Sequence, residues 1–145
     1  MPLRIVFVCL GNTCRSPMAE GWARHLGCGQ VEAGSAGLAP LGFLAPETVA
    51  VMAEKNVSLS GQRSKGLEAI DWSRVDLLVN MSPRPAAQVA LQFSGPRLDW
   101  NIPDPYCGSL DDYRRTRDLL EQKVTELLAQ KLTRSPGSGR QARLL

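Results

Sequence analysis

Apolar residues along this chain fall into two patterns, short unbroken runs and stretches in which they return every three or four positions, and the two alternate. Residues 3–9, which include Ile5, Val6, Phe7 and Val8, form an apolar run that reads as a fully buried strand. Pro17 sits where the first turn of a helix accepts it, and helical spacing continues from Met18 to Leu26, stopping at Gly27. A second short strand is expected over residues 30–33, then a loop at Gly34, Ser35, Ala36 and Gly37 and an irregular stretch with Pro40 and Gly42. Pro46 opens a predicted helix over residues 46–56, with Val49, Met52 and Ala53 on one side.

The second half repeats the alternation. Residues 75–80 read as a third strand, residues 84–93 as a helix with Pro83 or Pro85 near its start, and residues 97–100 as a short fourth strand. Pro103 and Pro105 keep residues 101–108 out of regular structure. Ser109 is placed to cap a long helix, with Asp112 three residues on as its acidic partner, and Tyr113, Leu120, Val124, Leu127 and Leu128 recur on one face. Strands alternating with helices imply an α/β fold, a parallel sheet covered by helices on both faces, whose sites lie at the carboxyl ends of the strands. Cys9 and Asp104 therefore belong to one rim, although they are far apart in sequence.

Composition narrows the class. With 145 residues, 43% of them hydrophobic and 21% charged, the chain suits one globular domain, and no apolar run approaches a membrane span. The first residues lack the length and cleavage site of a signal peptide, so the expected location is the cytoplasm. The domain is expected to occupy residues 1–132. Much of the net charge of +3 comes from Arg134, Arg140 and Arg143 in a basic tail over residues 133–145, expected to be disordered. Neither a nucleic-acid nor a membrane partner is indicated.

Four cysteines, at positions 9, 14, 28 and 107, fit neither paired metal-ligand spacing nor a disulfide scaffold, and His25 is the only histidine. Cysteine chemistry here would have to proceed without a histidine partner. Cys9 ends the first apolar run, Gly11 and Asn12 suit a tight loop, and Arg15, Ser16 and Pro17 stand at a helix start. Amides of such a loop and of the first helical turn point at one spot, where the helix dipole favours negative charge. Leu10, Gly11, Asn12, Thr13, Cys14 and Ser16 are therefore the expected oxyanion cradle.

A cysteine with an ordinary pKa of about 8.5 is a poor nucleophile at neutral pH, but loop amides, the helix N-terminus and the Ser16 hydroxyl would hold Cys9 as thiolate. Arg15 offers a planar fork to two phosphoryl oxygens. Attack at phosphorus expels a basic leaving group that needs a proton, and Asp104, stiffened between Pro103 and Pro105, is the candidate acid, with Tyr106 as a wall of the cleft. A bland alternative assigns Cys9 to the core and Asp104 to a turn.

The run from Cys9 to Glu20, the Ser35-Ala36-Gly37 segment and Asp104-Pro105-Tyr106 resemble the low-molecular-weight protein tyrosine phosphatases, from about Leu3 to Leu132. The resemblance implies a four-stranded parallel sheet flanked by helices, no metal or cofactor, and two-step hydrolysis of a phosphorylated protein, phosphotyrosine being the first expectation. Cys9 would take the phosphoryl group, Asp104 would protonate the leaving group and then activate water, and phosphate or other oxyanions would occupy the cradle. The same resemblance gives Asn12 and Ser35 loop-holding roles and makes Cys14 a disulfide partner for an oxidised Cys9.

Two other branches compete. The stretch from Ala45 to Leu67, with Ser64-Lys65, and residues 98–105 also resemble the thioredoxin-coupled arsenate reductases, but the segment after the third strand offers Ser82 and no cysteine for the relay those enzymes need. That leaves a reductase regenerated by an external thiol as the open form of this reading. Thr13 stands where tyrosine phosphatases carry a branched aliphatic residue and protein arginine phosphatases carry threonine, which makes phosphoarginine the alternative substrate. A non-catalytic phosphate-binding module is a further reading, one that leaves Asp104 without a purpose. No aromatic residue is evident for the cleft wall near residues 37–43, where Leu38, Leu41 and Phe43 are the substitutes available.

Overall fold

The computed structural model describes residues 1–132, and the tail expected from residue 133 onward lies outside the described residues. Four parallel strands, β1 (Leu3–Cys9), β2 (Val31–Gly37), β3 (Leu77–Asn80) and β4 (Arg97–Asp99), are ordered β2-β1-β3-β4. β1 is thus paired on both sides, which suits its apolar sequence: Ile5, Phe7 and Cys9 face one side, Val6 and Val8 the other, and all are buried.

Three α-helices, α1 (Arg15–Gly27), α2 (Pro46–Ala53) and α3 (Leu110–Leu132), meet the first side. There Met18 and Trp22 of α1, Met52 of α2 and Tyr113, Leu120 and Val124 of α3 pack on Phe7 and Val79. Each large buried side chain contributes roughly 1.5–3 kcal/mol. The second side is covered more thinly, by Trp72, Val89 and Phe93 from short 3-10 turns and the bends around them. Both faces are covered by helical structure, but unequally. Among the described residues no helix is long and apolar enough to cross a membrane.

Several boundaries differ from expectation. β2 runs on through Gly34, Ser35, Ala36 and Gly37, which were expected as a loop, because β1 pairs with it residue by residue up to Cys9 beside Gly37. The expected helix over residues 84–93 is a single 3-10 turn, Ala86–Gln88, followed by bends. Arg97 donates to the carbonyls of Ala86, Val89, Ala90 and Phe93, and of these the Ala86 and Val89 carbonyls are ones that a helix over 84–93 would use internally. α2 stops at Ala53, and it buries Thr48, Val51 and Met52, whereas Val49 and Ala53 face solvent. β3 and β4 are shorter than expected, and α1 begins at Arg15, two residues before Pro17. At α3, Ser109 Oγ accepts from Asp112 N at 3.1 Å and Asp112 Oδ2 accepts from Ser109 N at 2.9 Å, the reciprocal cap read from the sequence.

Candidate active site

β1 delivers Cys9 to the carboxyl rim of the sheet at 2% exposure, and residues 10–14 then turn back into α1. The loop's shape is set from outside. The carbonyls of Cys9, Leu10 and Gly11 accept from the amides of Leu38, Ala39 and Leu41, and the carbonyl of Thr13 accepts from Ala45 N and from Thr48 Oγ1. In a trans peptide the N–H points opposite to the carbonyl, and the described residues contain no cis bond, so the following amides turn inward. Close approach is needed for this, and a Cβ on Gly37 would meet Leu10 O at 2.8 Å and Asn12 N at 2.9 Å.

Asn12 takes a left-handed φ of 49° at the bend and is completely buried. Its Oδ1 accepts from Lys65 N at 2.8 Å, and its Nδ2 donates to Ser16 Oγ at 2.8 Å and Ser35 Oγ at 2.9 Å. Ser16 Oγ lies 3.0 Å from Cys9 Sγ. No side chain caps α1, and its first turn carries no acidic residue, so its N-terminal amides and positive dipole end are left for an anion.

Arg15 is 8% exposed. Its Nη1 donates to Met81 O at 2.9 Å and Ile102 O at 3.1 Å, tying the cradle to the end of β3 and to the loop after β4. Its Nη2 lies 3.4 Å from Asp104 Oδ2, while its buried Nε has no partner among protein atoms. A buried donor without an acceptor is costly, and an oxyanion in the cradle would satisfy it. Asp104 keeps its side chain 45% exposed, and its Oδ1 accepts from Tyr106 N at 3.1 Å, which fixes the turn between the two prolines.

These groups meet at a cleft of about 280 Å³. Cys9, Thr13, Cys14, Arg15, Asp104 and Tyr106 line it, and Leu10, Gly11, Ala39 and Leu41 complete the wall. Of the three residues expected to replace an aromatic wall, only Leu41 lines the cleft. Leu38 packs against the second core, and Phe43 serves through its carbonyl, which accepts from Thr13 Oγ1. Asn12, Ser16 and Ser35 lie behind the surface, joined to one another.

Cys14 is buried beside Tyr113, with Sγ donating to Tyr113 Oη at 3.7 Å. Burial pushes its thiol up to about 11, against smaller opposing effects from hydrogen bonds with Thr48 and Tyr113. Burial also raises the Tyr113 phenol, followed by its contact with Cys14. Cys9 and Cys14 are free thiols, and Cys28 and Cys107 are exposed ones. Among the described residues no three His, Cys, Asp or Glu side chains cluster as metal ligands would.

Sequence reading missed the supports. Glu20, 2% exposed, accepts from Ser35 Oγ at 2.6 Å. Its spacing of four from Ser16 places both on one helix face, a signal that was available. Lys65 and Thr48 reach the loop from remote segments and carried no such signal.

Known proteins resemble this chain over most of its length. The sequence model of the low molecular weight phosphotyrosine protein phosphatase family matches residues 4–137. A protein-arginine-phosphatase of Bacillus subtilis is 34% identical over 87% of this chain and 95% of its own length. A glutaredoxin arsenate reductase of Synechocystis is 32% identical over 87% of this chain and 96% of its own. Among solved structures, an arginine phosphatase from Geobacillus stearothermophilus superposes with a TM-score of 0.80 at 29% identity, over 92% of this chain and 95% of that one. An arsenate reductase in its phosphate-binding state gives 0.78 at 30% identity, over 88% and 98%.

Proposed function

The chain belongs to the low molecular weight phosphotyrosine protein phosphatase family, and on that premise we propose that it is a cysteine-dependent phosphoprotein phosphatase with phosphoarginine as its preferred substrate. The observation that carries the hydrolase reading is the convergence on one cleft of Cys9 Sγ, 3.0 Å from Ser16 Oγ, and Asp104 Oδ2, 3.4 Å from Arg15 Nη2.

In the first step the Cys9 thiolate attacks phosphorus, and the bond from phosphorus to the leaving group breaks as Asp104 gives that group its proton. Inward amides, the α1 N-terminus and the Arg15 guanidinium, whose Nε has no protein partner, hold the charge that develops on the phosphoryl oxygens. In the second step Asp104, now a carboxylate, takes a proton from water as the water attacks phosphorus, and the sulfur–phosphorus bond breaks. Phosphate leaves and Cys9 is a thiolate again.

Thr13 supports the choice of substrate. Its hydroxyl spends its proton on the Phe43 carbonyl, so toward a ligand it is an acceptor only, which suits guanidinium N–H groups and gives nothing to a phenyl ring. Phosphotyrosine is the second reading, favoured by the apolar Leu10, Leu41 and Tyr106 around the mouth. Arsenate reduction through a cysteine relay finds little support. After β3 the chain offers Ser82, whose Oγ donates to Asn80 Oδ1, and the exposed Cys28 and Cys107 lie on other segments.

The test is hydrolysis of phosphoarginine and phosphotyrosine peptides by wild type and Cys9→Ser. Wild type is expected to hydrolyse both with the higher kcat/KM on phosphoarginine, and Cys9→Ser neither. No turnover by wild type would remove the phosphatase reading, and a preference for phosphotyrosine would promote the second substrate.

A further inference from the structure

Glu20 is a buried carboxylate that the two-step reaction leaves without a task, and it does not line the cleft. Its Oε1 accepts from Ser35 Oγ at 2.6 Å, and its Oε2 lies 2.5 Å from Nη2 of the half-exposed Arg24. From Ser35 the contacts continue through Asn12 Nδ2 to Ser16 Oγ and end at Cys9 Sγ, each link between 2.8 and 3.0 Å.

The hydrogens in this chain can be counted. Paired with Arg24, the Glu20 carboxylate accepts only, so the one hydroxyl hydrogen of Ser35 goes to it. Ser35 Oγ then presents lone pairs to Asn12 Nδ2. The Asn12 amide cannot be turned over, because its Oδ1 accepts from Lys65 N at 2.8 Å. The two hydrogens of Nδ2 are spent on Ser35 and Ser16. Ser16 keeps its own hydrogen, and Sγ of Cys9 is the acceptor before it.

We propose that Glu20 is a positioning residue for the nucleophile: as the terminal acceptor it orients Ser35, Asn12 and Ser16 so that the last hydrogen of the chain is donated to Cys9 Sγ. This rests on Cys9 being the nucleophile of the proposed reaction. A hydrogen bond to the sulfur favours the thiolate over the thiol, and a chain in which every donor has one acceptor polarises along its length.

Through-space charge predicts the opposite sign, which makes the proposal testable. The charged groups facing Glu20 are Arg24 on its own helix and Lys65, with Arg63 beside it, from the segment after α2, while β2 offers only the Ser35 hydroxyl. Around Cys9 stand Arg15, Asp104 and the Cys14 thiol. Neutralising Glu20 removes a negative charge and by that effect alone makes a Cys9 anion easier to form. Losing the oriented donor makes it harder.

In Glu20→Gln the new amide either gives Ser35 a hydrogen where one must be taken or turns that hydrogen against Arg24. The readout is the pH dependence of Cys9 alkylation, mapped by peptide mass, which needs no turnover. The midpoint is expected to rise by about half to one pH unit, with kcat/KM on an aryl phosphate falling roughly 5- to 20-fold. Ser35→Ala, which cuts the chain but leaves the carboxylate and Arg24 in place, is expected to give the same rise, and the double variant no further rise.

An unchanged or lowered midpoint in Glu20→Gln, or additive shifts in the double variant, would overturn the proposal. If thermal melting shows Glu20→Gln to be unfolded, Ser35→Ala carries the test alone, and an unchanged midpoint there overturns it. The phosphatase reading fails differently, by wild type lacking turnover or by Cys9→Ser retaining it.

Discussion

Arg15 Nη2 stands 3.4 Å from Asp104 Oδ2 at the edge of the cleft that Cys9 lines. The proposed phosphate-holding fork, at the start of α1, and the proposed proton donor, on the loop after β4, are therefore set against each other from two different segments. Arg15 is fixed by the carbonyls of Met81 and Ile102, and Asp104 by the amide of Tyr106. Contributions from β1, β3 and the loop after β4 thus meet at the carboxyl rim, as expected for ligands of a parallel α/β sheet.

Asp104→Asn keeps the shape of this turn, since an amide oxygen still accepts from Tyr106 N, but it has no acidic proton to give. kcat/KM, which reports the phosphorylation step alone, is expected to fall by about 10²- to 10³-fold for substrates with basic leaving groups and far less for phenols acidic enough to leave unprotonated. A series of aryl phosphates of graded leaving-group acidity checks this. Equal loss across the series would remove Asp104 from proton transfer.

Thr13→Ile replaces an acceptor in the cleft wall by a methyl-bearing surface and removes the bond to Phe43 O. The ratio of kcat/KM for phosphoarginine over phosphotyrosine peptides is expected to fall by roughly tenfold, within the range that one lost polar contact produces. An unchanged ratio would mean that Thr13 merely packs.

How legible this was in the sequence depended on how locally each feature was encoded. β1, the loop after it and the cap of α3 are written in neighbouring residues and stand where expected. Residues 34–37 look like a turn because Gly and Ser favour turns, yet pairing with β1 keeps them extended, and the Ser35 hydroxyl is satisfied by Glu20 and Asn12. Residues 84–93 have helical spacing, but the Ala86 and Val89 carbonyls that a helix would use accept from Arg97, which no local pattern announces. Within the site, Cys9, Arg15 and Asp104 could be read from residue chemistry. Lys65, Thr48 and Tyr113 could not, because what matters about them is a tertiary contact.

Burial holds the Cys14 thiol up at about 11, so at mildly alkaline pH it stays protonated and shielded. Alkylation by iodoacetamide followed by peptide mapping is expected to modify the exposed Cys28 and Cys107, and Cys9 from the cleft, while Cys14 reacts only on unfolding. Modification of Cys14 at a rate matching Cys28 in folded protein would contradict this.

Glu54 at the end of α2 joins Arg114 Nη2 at 2.8 Å and Arg117 Nη1 at 2.7 Å on α3, and the hydrogen bonds from those guanidinium groups, Arg114 first, lower its carboxyl from the ordinary 4.5 to about 2. A carboxyl depressed on folding adds stability that is fully present above about pH 4.5 and is lost as pH falls toward about 2. Tm measured against pH for wild type and Glu54→Gln should show a constant gap in favour of wild type near neutrality that closes across that acid window. A gap that stays constant down to the lower limit would show that the ion pairs add nothing through this charge; exposure keeps the expected gap small.

The central claim is that Cys9 carries the phosphoryl group, and trapping the intermediate tests it most directly. Asp104→Asn, mixed with excess aryl phosphate bearing a good leaving group and quenched in acid, should release a burst of phenol near one equivalent per enzyme, because the variant can still be phosphorylated but activates water poorly. Intact mass followed by peptide mapping should then place one phosphoryl group on Cys9, and Cys9→Ser should show neither burst nor turnover. Turnover retained in Cys9→Ser, or a phosphoryl group mapped to another residue, would contradict the account.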